Sequence, residues 1–242
     1  MRTGNGSSQR AAGIVAAAGA GARFAQDSDD TPKQFLELGG EPVFVRSIRV
    51  VLACGGVNRI ACPVPADWRA HAEGLVADAG LSAQVVLLDG GATRQESVRR
   101  ALETLSGHDE PEHVVIHDAA RPLATSELVQ SALDTAMRHG AAVVAAPSVD
   151  TIAIRSGEWL EAVLERATLV NVQTPQAFRY GLICEAHARA IRDGVADASD
   201  DAALVLRLGH RVAVVPGPAA NIKITSSVDF ELARRLLAGE AL

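Results

Sequence analysis

The chain is poor in aromatic side chains: five Phe, two Trp and one Tyr make up 3% of its 242 residues. The interior must therefore be filled by Ala, Val, Leu and Ile, as in sheets covered by helices, and the successive stacking platforms that bind single-stranded nucleic acid are nearly excluded. Positive charge is also short. Lys and Arg number 23 against 29 Asp and Glu, a formal net charge of −6, and the sequence pI is near 5.6. A general polyanion-binding surface needs clustered cations, whereas a small phosphorylated ligand held by a few of them stays compatible. The three cysteines, Cys54, Cys62 and Cys184, offer no pair at metal-ligand spacing and no disulfide framework, which points to a reducing compartment and to inert or buried thiols. No run approaches the roughly 18 apolar residues needed to span a bilayer. The stretch 11–22 behind Arg2 and Arg10 imitates a short signal-peptide core, but it contains Gly13, Gly19 and Gly21 and runs directly into a patterned domain. The expectation is a cytoplasmic protein with no membrane or nucleic-acid partner.

What the chain does have is apolar content, 48% hydrophobic residues against 21% charged, inside the globular range. At roughly 150 residues per domain the length suits one large domain with an appendage. Residues 1–10 (MRTGNGSSQR) are polar and Gly/Ser-rich, read as a disordered leader, and 11–242 as a single domain. Within it, strands are expected at 13–17, 59–63, 84–88, 113–117 and 142–147. Helices with apolar residues three or four apart are expected near 43–53, 67–79, 94–105 and 125–139. This alternation predicts an α/β fold, a mostly parallel twisted sheet with helices on both faces. Between 148 and 176 the pattern breaks into short polar β-leaning pieces at 151–155, 163–166 and 170–173, read as an inserted arm. Helices near 181–193 and 201–208, strands at 211–215 and 221–224, and a last helix from Ser227 complete the domain.

In such a sheet ligands bind beyond the carboxyl ends of the strands, so the residues that follow each strand carry the functional argument. After the first come Ala17-Ala18-Gly19-Ala20-Gly21-Ala22-Arg23, small residues that let backbone amides approach a phosphate chain. A dinucleotide fingerprint is opposed by Phe24 at its third glycine position and by the absence of a ribose-binding acid after the second strand. A Walker loop is opposed by the absence of G-K-[ST]. Lys33, in Pro32-Lys33-Gln34-Phe35, is either an ordinary solvated lysine or a second cation beside Arg23 for a triphosphate. Asp118, at the end of an apolar strand, either caps a turn or holds Mg²⁺ against phosphate oxygens. Thr93-x-x-Glu96 and Ser226-x-x-Asp229 read as capping boxes. Of the histidines, only His113 and His117 are four apart, and on a strand that spacing separates rather than stacks them.

The arrangement A-A-G-x-G-x-R…P-K-Q-F resembles the nucleotide loop of cytidylyltransferases. The segments Asp89–Val98 (DGGATRQESV), His117–Pro122 (HDAARP), Asp150-Thr151, Gln173–Gln176 (QTPQ) and Asn221–Thr225 (NIKIT) follow in order. Together they are similar to the 2-C-methyl-D-erythritol 4-phosphate cytidylyltransferase family of non-mevalonate isoprenoid biosynthesis. The resemblance implies a Rossmann-like nucleotidyltransferase fold and a Mg²⁺-dependent reaction between CTP and a polyol phosphate. It implies nucleotide contacts at Ala17, Ala18, Gly19, Gly21, Arg23, Lys33, Gly91, Ala92, Ser97 and Ala119, with Asp118 on the metal. Acceptor contacts are implied at Arg121, Thr174, Ser199 and Lys223, and at Asp150, Thr151 and Arg166 of an arm that reaches across a homodimer. Catalysis falls to Arg23 and Lys33, which stabilise the transition state, and to Arg166 and Lys223, which position the attacking phosphate. Ala92 and Ala220 stand where the family often has acids, so no side-chain role is carried to either. Ribitol-5-phosphate transfer and a noncatalytic nucleotide-sensing module are the alternatives.

Overall fold

The computed structural model describes residues 11–19, 31–107 and 109–240. The leader 1–10, Gly21 and Arg23 lie outside the described residues. The first strand, β1 (Ala11–Ala16), is buried on both faces: Ala11 and Val15 join one apolar cluster, Ala12 and Ile14 the other. That double burial is why a parallel-sheet strand reads as a continuous apolar run. At Gly13 a Cβ would lie 2.4 Å from Ile60 Cδ1 and 2.7 Å from Val51 Cγ1, so glycine there admits close helix packing. A small hairpin of β2 (Glu37–Leu38) and β3 (Glu41–Pro42) leads into α1 (Val43–Leu52). Then come β4 (Val57–Val64), α2 (Arg69–Asp78), β5 (Val85–Asp89), α3 (Arg94–Thr104), β6 (His113–Asp118), α4 (Ser126–His139) and β7 (Ala141–Pro147). The expected alternation is present, with boundaries moved by a residue or two.

The arm holds a hairpin of β8 (Ala153–Ser156) and β9 (Trp159–Val163). Here the structure corrects the sequence reading. The expected β piece at 163–166 is not a strand: pairing ends at Val163, and Arg166–Thr168 forms a 3₁₀ turn. Residues 170–176, read as arm, belong to β10 (Val170–Arg179), which inserts antiparallel between β6 and β7 in the main sheet. Its polar residues misled the reading because Gln173, Thr174 and Gln176 are buried by a local break in register rather than exposed. After β10 come α5 (Tyr180–Arg192), α6 (Asp201–Arg207), β11 (Ala213–Pro216) and α7 (Ser227–Ala238). The strand expected at 221–224 is also absent. That segment runs irregularly, with Ile224 donating its amide to Ala120 O and Asn221 using its side chain to satisfy Gln173 Oε1 and Thr174 O, each at 2.9 Å.

The seven-stranded sheet has the order β11-β7-β10-β6-β1-β4-β5, parallel except for β10. Helices α1, α2 and α4 cover one face; α3, α5 and α6 cover the other. After β1 the chain winds outward to β4 and β5, then returns to β6 on the opposite side of β1. The segments leaving β1, described at its start as residues 17–19, and β6 therefore diverge and leave a crevice at the point where the winding reverses. Cys54 and Cys62 are buried and Cys184 is half-buried, all as free thiols. Burial raises each thiol pKa, for Cys54 to about 11 with help from Asp134, so none is a ready thiolate.

Candidate active site

Ala16 and Asp118 face each other in register at the ends of β1 and β6. Beyond them opens a cleft of about 420 Å³ lined by Ala17, Ala18, Gly19, Lys33, Gln34, Arg94, Ser97, Asp118, Ala119, Ala120, Lys223 and Thr225 as well as Ala16. The fold thus brings together most of the residues that the resemblance assigns to the nucleotide, along with the proposed metal ligand and Lys223.

Two anchors hold the residues that directly follow β1, 17–19. Gln34, buried, donates its amide to Ala17 O at 2.8 Å and Gly19 O at 3.1 Å, so the turn after β1 is tied to the segment that carries Lys33. That segment is held from below by aromatic packing: Phe35 stacks on Trp68 with centroids 5.3 Å apart and meets Phe44 and His71 edge-on. In a chain with so few aromatics, this concentration under one loop marks where rigidity is needed. Lys33 Nζ donates to Ile224 O at 2.6 Å and joins this loop to the segment bearing Lys223.

The Gly90-Gly91 turn packs behind this lining, against Ala18 and Ser97; Gly91 and Ala92 do not themselves line the cleft. A Cβ on Gly90 would stand 2.2 Å from Ala18 Cβ, so the turn passes directly against the first loop. Ser97 Oγ accepts from Gly91 N and donates to Thr93 O, each at 2.9 Å. Thr93 caps α3 as expected, but the Glu96 carboxylate accepts from Ala92 N rather than from the cap residue's amide. Gly90→Ala should push the two loops apart at a strain of about 1–3 kcal/mol and, on the nucleotide role that the resemblance implies for this turn, weaken CTP binding by about tenfold or more. Calorimetric titration of CTP checks this, and unchanged affinity would show that the close approach is not part of the nucleotide site.

At the floor, Asp118 is nearly buried and takes a cation on each oxygen: Arg94 Nε donates to Oδ1 at 3.0 Å and Lys223 Nζ to Oδ2 at 2.7 Å. Burial alone would raise its pKa, but Arg94 and Lys223 outweigh it and hold the carboxyl well below the usual carboxylate range. Thr174 Oγ1 accepts from Asp118 N at 3.0 Å and meets His117 Nδ1 at 3.0 Å, so Thr174 lies behind the cleft wall. Arg121 likewise points back, donating to Asn221 O at 2.7 Å. Asp150, Thr151 and Arg166 are exposed on the arm, and Ser199 is exposed beside Asp200, whose carboxylate caps α6. None of these four lines the cleft. Asp229 closes the capping box of α7.

The sequence reading gave Arg94, Gln34 and Thr225 no role. Arg94 and Gln34 sat inside quoted motifs, but their partners lie 24 and 107 or 15 and 17 residues away, and only the fold reveals such pairings. His117 is fully buried, and burial lowers its pKa from 6.5 to about 4. Between those values the unfolded chain binds a proton that the native one refuses, so native stability falls as pH drops through this window. The linked loss is about 3 kcal/mol. Urea unfolding at pH 7 and pH 4 should show a smaller pH difference for His117→Gln than for the wild type; equal differences would remove His117 as the source.

The family model described as 2-C-methyl-D-erythritol 4-phosphate cytidylyltransferase (IspD) matches residues 11–239. The enzyme of that name from Geobacillus kaustophilus is 40% identical over 225 residues, 93% of this chain and 96% of that one. The crystal structure of the Thermus thermophilus enzyme superposes with a TM-score of 0.74 at 36% identity, covering 93% of this chain and 98% of its own. That of the 4-diphosphocytidyl-2C-methyl-D-erythritol synthase from Anaerococcus prevotii gives 0.81 at 25% identity, covering 96% and 99%. The chain, with its cleft at the ends of β1 and β6, belongs to the 2-C-methyl-D-erythritol 4-phosphate cytidylyltransferase family.

Proposed function

We infer that the chain joins CTP to 2-C-methyl-D-erythritol 4-phosphate, giving 4-diphosphocytidyl-2-C-methyl-D-erythritol and pyrophosphate. The observation that carries this reading is the meeting of Lys33, Arg94, Asp118 and Lys223 in one cleft at the sheet's winding reversal, in a chain matched to the family over 11–239. A phosphate monoester has a second pKa near ~6, so at neutral pH the acceptor is already a dianionic nucleophile and needs no general base. An acceptor oxygen bonds to the α-phosphorus while the bond from that phosphorus to the oxygen bridging it to the β-phosphate breaks, and pyrophosphate leaves. Two anions must be aligned as charge builds on the α-phosphate and the leaving group, so cations fixed in advance dominate the catalysis. Lys33, with Arg23, takes the nucleotide phosphates; Lys223 faces the acceptor.

Asp118 is a single carboxylate on the cleft floor, and Mg²⁺ is bound through one or two carboxylates plus substrate phosphates. Both of its oxygens already accept from Arg94 and Lys223, so a magnesium ion would use a remaining lone pair of Asp118 and draw its other ligands from the substrate phosphates, whose charge it would neutralise. Mass spectrometry of the reaction should find one diphosphate diester and one pyrophosphate per CTP consumed. CMP without diester would contradict the assignment.

The arm supports a homodimer. Trp159, Leu160 and Val163 are 78%, 73% and 63% exposed on its hairpin, an apolar surface suited to a second copy. Arg166 stands outside its own chain's cleft, bonded to Val149 O. In this reading it serves the neighbouring cleft. Lys33→Ala and Arg166→Ala proteins, each inactive alone, should recover part of their activity after subunit exchange, because a mixed dimer regains one intact site; no recovery despite proven exchange would place Arg166 in its own cleft or in none. The reading also keeps the protein in the cytoplasm, where its phosphorylated substrates are made; among the described residues no helix is long and apolar enough to cross a membrane.

A further inference from the structure

We propose that Arg94 is a positioning residue of this transfer, setting the carboxylate of Asp118 and, through it, the ammonium of Lys223, while Asp201 and His187 hold Arg94 in turn. The inference rests on the function proposed above. Arg94 opens α3 and spreads its guanidinium between two carboxylates from different elements: Nε to Asp118 Oδ1 at 3.0 Å and Nη1 to Asp201 Oδ2 at 2.7 Å. Asp201 opens α6, is 1% exposed, and on its other oxygen accepts from His187 Nε2 at 3.1 Å. His187, on α5, is itself buried. A chain of hydrogen-bonded groups thus runs from the helix layer to the cleft floor, and its outer end is the group that fixes Lys223.

Three features separate this from an ordinary structural ion pair. The chain ends in the cleft, which both Arg94 and Asp118 line. Lys223 comes from the irregular segment after β11, outside the sheet, and Asp118 Oδ2 is the side-chain partner that holds its ammonium. With Oδ1 taken by Arg94, Oδ2 is the oxygen left facing Lys223. Finally, Arg94 Nη2 is buried without a hydrogen-bond partner among the described residues, so the guanidinium plane is dictated by the two carboxylates at the expense of its own full complement. A planar fork meets two fixed acceptors at once, and a lysine ammonium of the same charge cannot reproduce that orientation.

The test uses the full chain with CTP and 2-C-methyl-D-erythritol 4-phosphate. Arg94→Lys keeps the charge and loses the fork. It should fold and lose kcat on the order of tenfold to a hundredfold, as a displaced reacting group does, with a smaller change in CTP affinity by calorimetry. Because Arg94 acts through Asp118, the double variant Arg94→Lys/Asp118→Asn should be no slower than Asp118→Asn alone. Asp201→Asn, which loosens Arg94 one step further from the cleft, should show the same non-additivity with a smaller loss, and it serves as the test if Arg94→Lys does not fold. Multiplicative effects, or an unchanged kcat in folded Arg94→Lys, would overturn the inference while wild-type turnover leaves the function standing. No wild-type turnover with this acceptor would overturn both.

Discussion

Lys33→Ala is expected to fold like the wild type and to lose turnover by about 10²–10³, or about 3–4 kcal/mol of transition-state stabilisation. The fold should survive because the segment is anchored by neighbours the substitution leaves alone: Gln34 on the carbonyls of Ala17 and Gly19, and Phe35 on Trp68 and Phe44. What disappears is a preplaced ammonium on the cleft wall, together with its hydrogen bond to Ile224 O. Its value to catalysis comes from being oriented before the charge develops, so Arg or free amines added in solution should rescue poorly. Steady-state kcat, measured beside a melting curve, decides the matter; near-normal turnover would remove Lys33 from the mechanism.

Asp118→Asn should be damaging in two ways. The carboxylate accepts two charge-assisted hydrogen bonds, from Arg94 and Lys223. An amide has one oxygen to offer and turns a donor toward the other cation. The Lys223 side chain is 41% exposed and can find water; Arg94, at 23%, keeps Asp201 but loses one of its two carboxylates, which is the more costly loss. A loss of about 3 kcal/mol is expected, which for a chain of this size lowers Tm by roughly 6–12 °C. Turnover should fall by about 10² or more, since Lys223 loses its anchor and the cleft loses the carboxylate proposed to hold Mg²⁺. Melting and kinetics on the same preparation check both. A variant as stable as the wild type would mean that the two cations do not depend on Asp118.

The differing legibility of these residues has physical causes. The parallel strands and their helices were readable because burial on both faces leaves long Val, Ile and Ala runs broken by helical periodicity, as in Ile14-Val15-Ala16 and Val143-Val144-Ala145. The arm boundary was not readable, because Gln173, Thr174 and Gln176 look like surface residues until the fold supplies Asn221, His117 and the amide of Ala202 as partners. The 221–224 strand failed for a related reason: its β-branched residues are used for docking Ile224 into a small apolar cluster with Leu38, Val43 and Ala233, not for sheet pairing. In the site, strand-end residues such as Asp118 were visible from topology alone. Arg94 was missed because its neighbours in sequence explain it as a helix start, while its chemistry depends on a strand end and another helix. Arg23 and Gly21 rest on the motif, outside the described residues.

The central claim is that one cleft activates CTP toward a particular polyol phosphate. Its most direct test is Mg²⁺-dependent pyrophosphate release from CTP by the wild-type chain with 2-C-methyl-D-erythritol 4-phosphate, with ribitol 5-phosphate, and with no acceptor. The account predicts strong release with the first alone. Preference for ribitol 5-phosphate, or silence with both while CTP still binds, would contradict it.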